Sequence, residues 1–379
     1  MFDLPEDTEA LRRTALDFAR DRIAPHALAW DQERHFPVDV LREAAGLGMA
    51  GLYVREESGG AGLTRLDAAV VFEALATGCP TVSAFLSIHN MVAWMIDRWG
   101  SEAQRAEWLP PLLTMEKIAS YCLTEPGAGS DAAALSTRAR RDNEGYVLDG
   151  AKQFISGAGA SDLYLTMVRT GGAGADGVSA LLIPRDTPGL SFGANEKKMG
   201  WNAQPTRQVI LDGARVPAGA LLGEEGQGFR YAMAGLDGGR LNIAACSLGG
   251  AQAALDIALG YVRERRAFGK PVADFQATQF RLADMATELE AARTFLWRAC
   301  AKLDAKSPDA TRFCAMAKRF VTDVGHRVAD EALQLLGGYG YLADYGIEKI
   351  VRDLRVHRIL EGTNEIMRVI IARQLLKAA

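Results

Sequence analysis

The chain has little of what disulfide scaffolds, metal centres or nucleic-acid binders depend on. Its 379 residues include five cysteines and five histidines. Cys79, Cys122, Cys246, Cys300 and Cys314 are scattered without CxxC spacing, which fits buried or free thiols in a reducing compartment better than a disulfide framework. The histidines show no metal-ligand spacing, so no metal is expected. A net charge of −4, with no basic run and no aromatic-interleaved basic patch, argues against nucleic acid as a partner. No GxSxG elbow or Cys/His arrangement supports covalent hydrolytic chemistry. The opening MFDLPEDTEALRRTA carries acids and runs into a helical pattern, so neither a signal peptide nor an Arg-rich transit peptide is expected, and the expected location is cytoplasmic. The segment from Ala74 to Ile96 lacks Asp, Glu, Lys and Arg and is long enough to span a bilayer. Gly78, Pro80, Ser83, Ser87, His89 and Asn90 would be costly there, so two buried helices joined at GCP are expected and no membrane span.

What remains is an ordinary globular composition, 49% apolar and 24% charged, in a chain long enough for two or three domains. Its texture changes twice. Up to about Lys117, apolar residues recur at helical spacing, as in Leu11, Ala15, Phe18 and in Val70, Val71, Ala74. From Tyr121 to about Gly223 the runs are short and β-like, YVLDG, LYLTMV, VSALLIP and RQVILDG, between Gly, Asn and Asp clusters. After GEEGQGF long amphipathic helices return: one over 276–306, and one opening at Ser307-Pro308 and stopping at Gly337-Gly338. The expected class is α+β, mostly α, with domains at 1–120, 121–225 and 226–379.

Three glycine-rich segments are candidates for ligand binding. GGAGADG matches GxGxxG at Gly172, Gly174 and Gly177, but a strand pattern follows where a dinucleotide fingerprint needs a helix, so a hairpin turn is expected. YCLTEPGAGSD, at 121–131, offers hydroxyls and open backbone N–H groups suited to an anionic or heteroaromatic ligand, and reads equally well as a plain turn. QLLGGYGYL, at 334–342, is the third. Arg265 and Arg266 end a helix before Gly269 and Pro271, where a phosphate clamp and simple complementation of the helix dipole remain open alternatives.

In RILEGTNEIMR, Glu361 stands between an apolar pair, Ile359 and Leu360, and Gly362, just before Thr363, a good N-cap for the run Ile366, Val369, Ile370. Burial against apolar neighbours raises a carboxyl pKa toward the range a base needs near neutral pH. The alternative is a solvated loop glutamate. His357 lies four residues before Glu361, but the glycine and cap argue against one helix through both, and with it against a His/Glu acid–base pair.

YCLTEPGAGSD, ERRAFGK followed by FQATQF, QLLGGYGYL with VRDLRV, and LEGTNEIMR, in that order, resemble the acyl-CoA dehydrogenases over essentially the whole chain. The resemblance implies an N-terminal helical domain, a β-barrel-like domain and a C-terminal four-helix bundle, with FAD bound between domains and across a subunit interface of a homotetramer. Carried onto this sequence, the family pattern places Tyr121, Leu123, Thr124, Gly129, Ser130, Phe154, Ile155 and Ser156 along the flavin, Ser130 also reaching the CoA portion. It places Arg265, Phe275, Gln276, Gln334, Leu335, Leu336, Gly337 and Gly338 on the pyrophosphate and adenosine from the neighbouring subunit, with Thr363, Asn364 and Glu365 also touching FAD. Asp237, Gly238, Gly239, Arg240 and Arg373 fall on the acyl-CoA side.

Glu361 falls on the family's catalytic base, which takes the α-proton of an acyl-CoA while a β-hydride goes to flavin N5. A related branch keeps its glutamate just before the arginine of the segment matching GLDGGR; here that position is Gly239. KKMGWNAQPTRQV, GLDGGRLNIAACSLG and RVHRILEGTNEIMR resemble the branch acting on isobutyryl-CoA, implying its oxidation to methacrylyl-CoA in valine breakdown with electron-transfer flavoprotein as acceptor. Short-chain or 2-methylbutyryl-CoA dehydrogenation, and an O2-using oxidase, are the alternatives. Leu360, where straight-chain members carry tyrosine, would admit a 2-methyl branch, and Tyr339 would shorten the acyl cavity; neutral core variation explains both equally well.

Overall fold

The computed structural model describes residues 4–377. The first third is helical: α1 (Glu6–Phe18), α2 (Ala27–Glu33), α3 (Val38–Gly46), α4 (Arg65–Gly78), α5 (Pro80–Trp99) and α6 (Glu102–Leu113). Helix starts follow local chemistry. Thr64 and Asp67 form a reciprocal capping box on α4, and Ser101 and Gln104 do the same for α6. Pro80 opens α5 at a position whose N–H would have no helical partner, so GCP is the break between two buried helices, as its residues predict.

The chain then forms β1 (Ala119–Cys122), β2 (Arg138–Arg141), β3 (Gly145–Ser156), β4 (Leu163–Arg169), β5 (Val178–Pro184), β6 (Leu190–Phe192) and β7 (Thr206–Pro217). They make one seven-stranded sheet in the order β1-β4-β2-β3-β7-β6, with β5 on the other edge of β4. β1 runs parallel to β4, β5 antiparallel to it, and LYLTMV is buried at every position, as a central strand covered on both faces requires. GGAGADG is the β4–β5 turn. The expected barrel is thus a curled sheet.

The last third holds α7 (Gly228–Glu264), a short hairpin of β8 (Arg266–Ala267) and β9 (Lys270–Pro271), α8 (Gln276–Asp304), α9 (Ala310–Leu336), α10 (Ile347–Arg355) and α11 (Asn364–Lys377). α9 starts later than Ser307-Pro308 suggests: Ser307 donates its N–H to Lys302 O and closes the preceding turn, so Asp309 becomes the residue before the helix. Its expected stop holds, with Gly337 at φ 59°. α7 is long and apolar enough to cross a bilayer by length and composition, with 67% of that apolar window buried inside the protein. Its glycines let neighbours approach: a Cβ at Gly249 would lie 2.0 Å from the carbonyl oxygen of Glu73 on α4.

A buried joint ties the three regions together. Asp353 on α10 pairs with Lys349 at 2.6 Å and accepts hydrogen bonds from Thr81 Oγ1 on α5 (3.0 Å) and from the backbone N–H of Trp201 in the β6–β7 connection (2.6 Å). Arg352 adds an ion pair to Asp31 on α2 and a hydrogen bond to Met199 O. VRDLRV is therefore structural mortar.

Candidate active site

Glu361 lies on a tight turn between a 3-10 turn at Val356–Arg358 and α11. Its φ is 56° and that of Gly362 is 87°. Left-handed backbone at a non-glycine residue is uncommon, and it persists only where surroundings enforce it. Thr363 Oγ1 accepts the N–H of Ile366 at 3.2 Å, the cap its position predicts. Two consecutive left-handed residues turn the Glu361 side chain back toward α7, and the Glu361 N–H finds no acceptor among the described residues.

The carboxylate meets α7 at its diglycine. A Cβ added at Gly239 would be 2.5 Å from Glu361 Oε2, and one at Gly238 would be 2.5 Å from a terminal nitrogen of Arg65. Neighbouring glycines thus admit an acid and a guanidinium to the same stretch of helix. Arg65 is buried, its Cζ 3.6 Å from the centre of the Tyr53 ring and 4.7 Å from that of Trp94. Glu361 Oε2 is buried without a hydrogen-bond partner, as is the hydroxyl of Tyr121. Burial pushes the Glu361 carboxyl up to about 7, against the pull of Arg240 and Lys318. This is neither a solvated loop acid nor one side of a salt bridge.

Arg240 is held by Asp237 at 2.6 Å, and Asp237 accepts a second hydrogen bond from Thr311 Oγ1 at 2.6 Å. His357 is not an acid–base partner. It is buried, accepts from the Trp201 indole at 3.2 Å through Nε2, and meets Ser247 Oγ at 2.7 Å through Nδ1. Burial holds it neutral, its pKa down to about 3.

YCLTEPGAGSD is braced from below by a pair that sequence reasoning missed. Lys152, fully buried on β3, donates to Leu123 O at 3.1 Å and to Glu125 at 2.8 Å, while Glu125 also accepts from the N–H groups of Ser136 and Thr137. Burial opposes ionisation of Glu125, but Lys152 and these donors hold its carboxyl down to about 2. A lysine inside an alternating apolar strand was the available signal. Gly129 has open space around its Cα, Ser130 is exposed, and Gln153 N–H holds Thr124 O at 2.8 Å. Phe154 sits where the β3–β7 register slips, at φ 59°, and is 63% exposed. An aromatic face pushed out of a sheet on strained backbone suits a planar heterocycle. Beside it Ile155 is buried and Ser156 Oγ accepts from Gln204 at 3.3 Å.

The other expected flavin residues lie elsewhere. Arg265, Gln334, Leu335, Leu336, Gly337 and Gly338 line one cavity of about 400 Å³ together with Tyr261, Val272, Tyr339 and Leu342. Phe275 and the exposed Gln276 follow Val272 at the start of α8. Gly239 and Arg265 are 26 residues apart on and just after α7, about 39 Å at 1.5 Å per residue. Within one chain, then, the two sets do not meet. Tyr339 belongs to the Arg265 end, its ring 5.6 Å from that guanidinium, so it does not shorten an acyl cavity beside Glu361 of the same chain. The side chain of Asn364 is taken up inside the protein, bonding Lys318, Thr322 and Asp323, which leaves only its backbone for a ligand. Glu365 and Arg373 are exposed on α11, and Arg373 forms no ion pair among the described residues.

Comparison with known proteins gives the family. Residues 5–116, 120–214 and 226–376 match the models of the acyl-CoA dehydrogenase N-terminal, middle and C-terminal domains. The isobutyryl-CoA dehydrogenase of Dictyostelium discoideum is 56% identical over 375 residues, covering 99% of this chain and 90% of that protein. The short-chain specific acyl-CoA dehydrogenase of Bos taurus is 40% identical over 378 residues, covering 99% and 92%. A solved structure described as PigA with FAD and proline superposes with a TM-score of 0.96 at 30% identity, covering all of both chains. The chain belongs to the acyl-CoA dehydrogenase family.

Proposed function

We propose that this acyl-CoA dehydrogenase oxidises a short, 2-methyl-branched acyl-CoA, isobutyryl-CoA to methacrylyl-CoA, with Glu361 as the base. The observation that carries this is the Glu361 carboxylate: turned inward on a left-handed turn, unpartnered at Oε2, and set by burial near pH 7. The α-proton of a thioester is weakly acidic, and a base matched to neutral pH removes it best. The N–H of Glu361, without an acceptor among the described residues, would donate to the thioester oxygen as enolate charge develops. FAD, the family's cofactor, supplies the acceptor for the two electrons that leave with the β-hydrogen. Tyr121 through Ser130 and Phe154 through Ser156 would hold its flavin ring, and Arg240, fixed by Asp237, lies on the substrate side.

The separation of Arg265 and its cavity from Glu361 supports an oligomer in which one protomer's Arg265 end completes another's flavin site. Exposed Phe268, Phe280, Tyr341 and Leu342 around that end fit a covered surface, and a homotetramer is the assembly the family resemblance implies. Leu360 is half-buried against the helical core, and on this reading it would leave room beside the α-carbon where a tyrosine would not. The 56% identity to an isobutyryl-CoA enzyme, against 40% to a short-chain one, favours the branched substrate over butyryl-CoA. The electron acceptor on this reading is an electron-transfer flavoprotein.

The test is anaerobic bleaching of the FAD-loaded protein by isobutyryl-, butyryl- and 2-methylbutyryl-CoA, followed by admission of air. Isobutyryl-CoA should give the highest specificity constant, and the bleached flavin should reoxidise slowly in air. Glu361→Gln should bind acyl-CoA and stay yellow; retention of more than about a tenth of the wild-type rate, short of what general base catalysis supplies, removes Glu361 from this role.

A further inference from the structure

Lys318 occupies a core position of α9, in line with Cys314, Val321 and Gly325, and is 0% exposed. Its Nζ donates to the carbonyl oxygen of Gly362 at 2.7 Å and to Asn364 Oδ1 at 3.0 Å. Those residues follow Glu361 by one and three positions. No carboxylate forms an ion pair with Lys318 among the described residues. A buried ammonium held only by neutral acceptors is costly, which raises the question of what negative charge answers it.

The surrounding elements narrow the choice. On α9, Asp323 is taken up by Arg358 at 2.8 Å and by Asn364, with Arg319 and Arg368 at 3.8 Å. On α11, Glu365 points to solvent. On α7, Asp237 belongs to Arg240, and Arg240 itself opposes a second cation. His357, beneath the turn, is neutral, and the tyrosines nearest Glu361, Tyr53 and Tyr121, have raised pKa values. Among the described residues, Glu361 is the one acid near Lys318 without a partner of its own.

We propose that Lys318 is a positioning residue for the base: it clamps the Glu361–Gly362 turn from beneath through the Gly362 carbonyl, and its charge keeps the Glu361 carboxylate ionised. The inference rests on Glu361 being the base. Burial brings the Lys318 ammonium down to about 7 and Glu361 up to about 7, so each group stabilises the charged form of the other near neutral pH. Of the two cations that act on Glu361, Arg240 is neutralised by its own aspartate, whereas Lys318 is not.

Anaerobic bleaching of the FAD-loaded protein, followed from about pH 5 to pH 10 to span the ordinary carboxylate and lysine ranges, tests this in Lys318→Met, Lys318→Gln and Lys318→Arg. Loss of the charge should move the acidic limb of the rate profile upward by about one pH unit or more, while Lys318→Arg keeps it near wild type. Lys318→Gln retains an N–H for Gly362 and carries the test if Lys318→Met does not fold. A purely structural clamp would lower rate or FAD content at every pH and leave the limb in place. The protonated-carboxyl infrared band that disappears in Glu361→Gln gives a second readout without substrate, and its midpoint should rise with the limb. An unmoved limb and band in the uncharged variants overturn the inference while leaving the base assignment intact. Rapid bleaching of Glu361→Gln overturns both.

Discussion

Gly239 and Glu361 occupy one another's space: a side chain on the glycine would begin 2.5 Å from the carboxylate oxygen of the acid. The two places at which family members keep their base are therefore two ways of delivering a carboxylate to the same point. One comes up from the turn before α11, the other directly off α7, and a chain has room for one.

That overlap makes Gly239→Ala a sharper probe than its size suggests. The new methyl group must displace the carboxylate, and a misplacement of about 1 Å in a catalytic group costs on the order of a hundredfold. We expect a folded, yellow protein that bleaches about a hundred times more slowly. Moving the acid, by Glu361→Gly together with Gly239→Glu, should recover part of the rate that Glu361→Gly alone loses.

Glu361 should also cost the protein stability. Its pKa rises from 4.5 to about 7 on folding, so between those values the folded state holds a proton that the unfolded state has released, and stability falls as pH rises through that window. Glu361→Gln removes the effect. The variant should melt higher than wild type at pH 8, by up to about 3 kcal/mol before discounting for partial solvation, and the gap should close toward pH 4. Equal melting at both pH values would show that the carboxyl is not strained by burial.

Arg265 separates cofactor binding from helix capping. A charge-assisted hydrogen bond to phosphate contributes roughly 1.5–3 kcal/mol, against about 0.3–1 for an exposed dipole contact. Arg265→Ala should purify largely depleted of FAD, and the loss should follow the oligomer, since its cavity lies far from Glu361 of the same chain. Full occupancy at normal affinity would leave only the capping role.

Leu360→Tyr tests the branched substrate. Overpacking typically costs 1–3 kcal/mol, so the ratio of specificity constants should move from isobutyryl-CoA toward butyryl-CoA by roughly five- to a hundredfold. Both substrates share the CoA contacts, base and flavin, so a general loss of folding would leave the ratio alone. A change within about twofold would mean that Leu360 does not select the branch.

Asp353→Ala should be the most damaging of these changes to stability, because it leaves Lys349 buried and unpaired. Breaking such a pair costs about 3–5 kcal/mol. Thermal denaturation would show it as a large loss, with flavin released in the same transition.

Much of this site was legible in the residues, because turn chemistry is local. The Gly362–Thr363 pair announces a bend and a cap wherever the rest of the chain goes, and Gly78-Cys79-Pro80 announces a break between helices. Lys152 and Lys318 were harder: each interrupts an apolar stripe, which marks a buried charge, but its partner lies 27 or 44 residues away and only the fold pairs them. Arg65 gave no signal, since its position between Tyr53 and Trp94 depends on three separate segments meeting. Tyr339 misled because neighbours in a motif need not be neighbours of the base.

The joint at Asp353 also sets conditions on recombining this protein with its relatives. Its contact to the sheet region is made by the main chain of Trp201 at φ 57°, so a grafted β segment satisfies it only with a residue that keeps its N–H and adopts left-handed backbone there. Its contact to the helical region is the hydroxyl of Thr81, which has no main-chain substitute. A chimera joined near residue 200 therefore keeps the first half of the seam when that turn is kept. The second survives only when the donor of the early helices brings a hydroxyl to position 81.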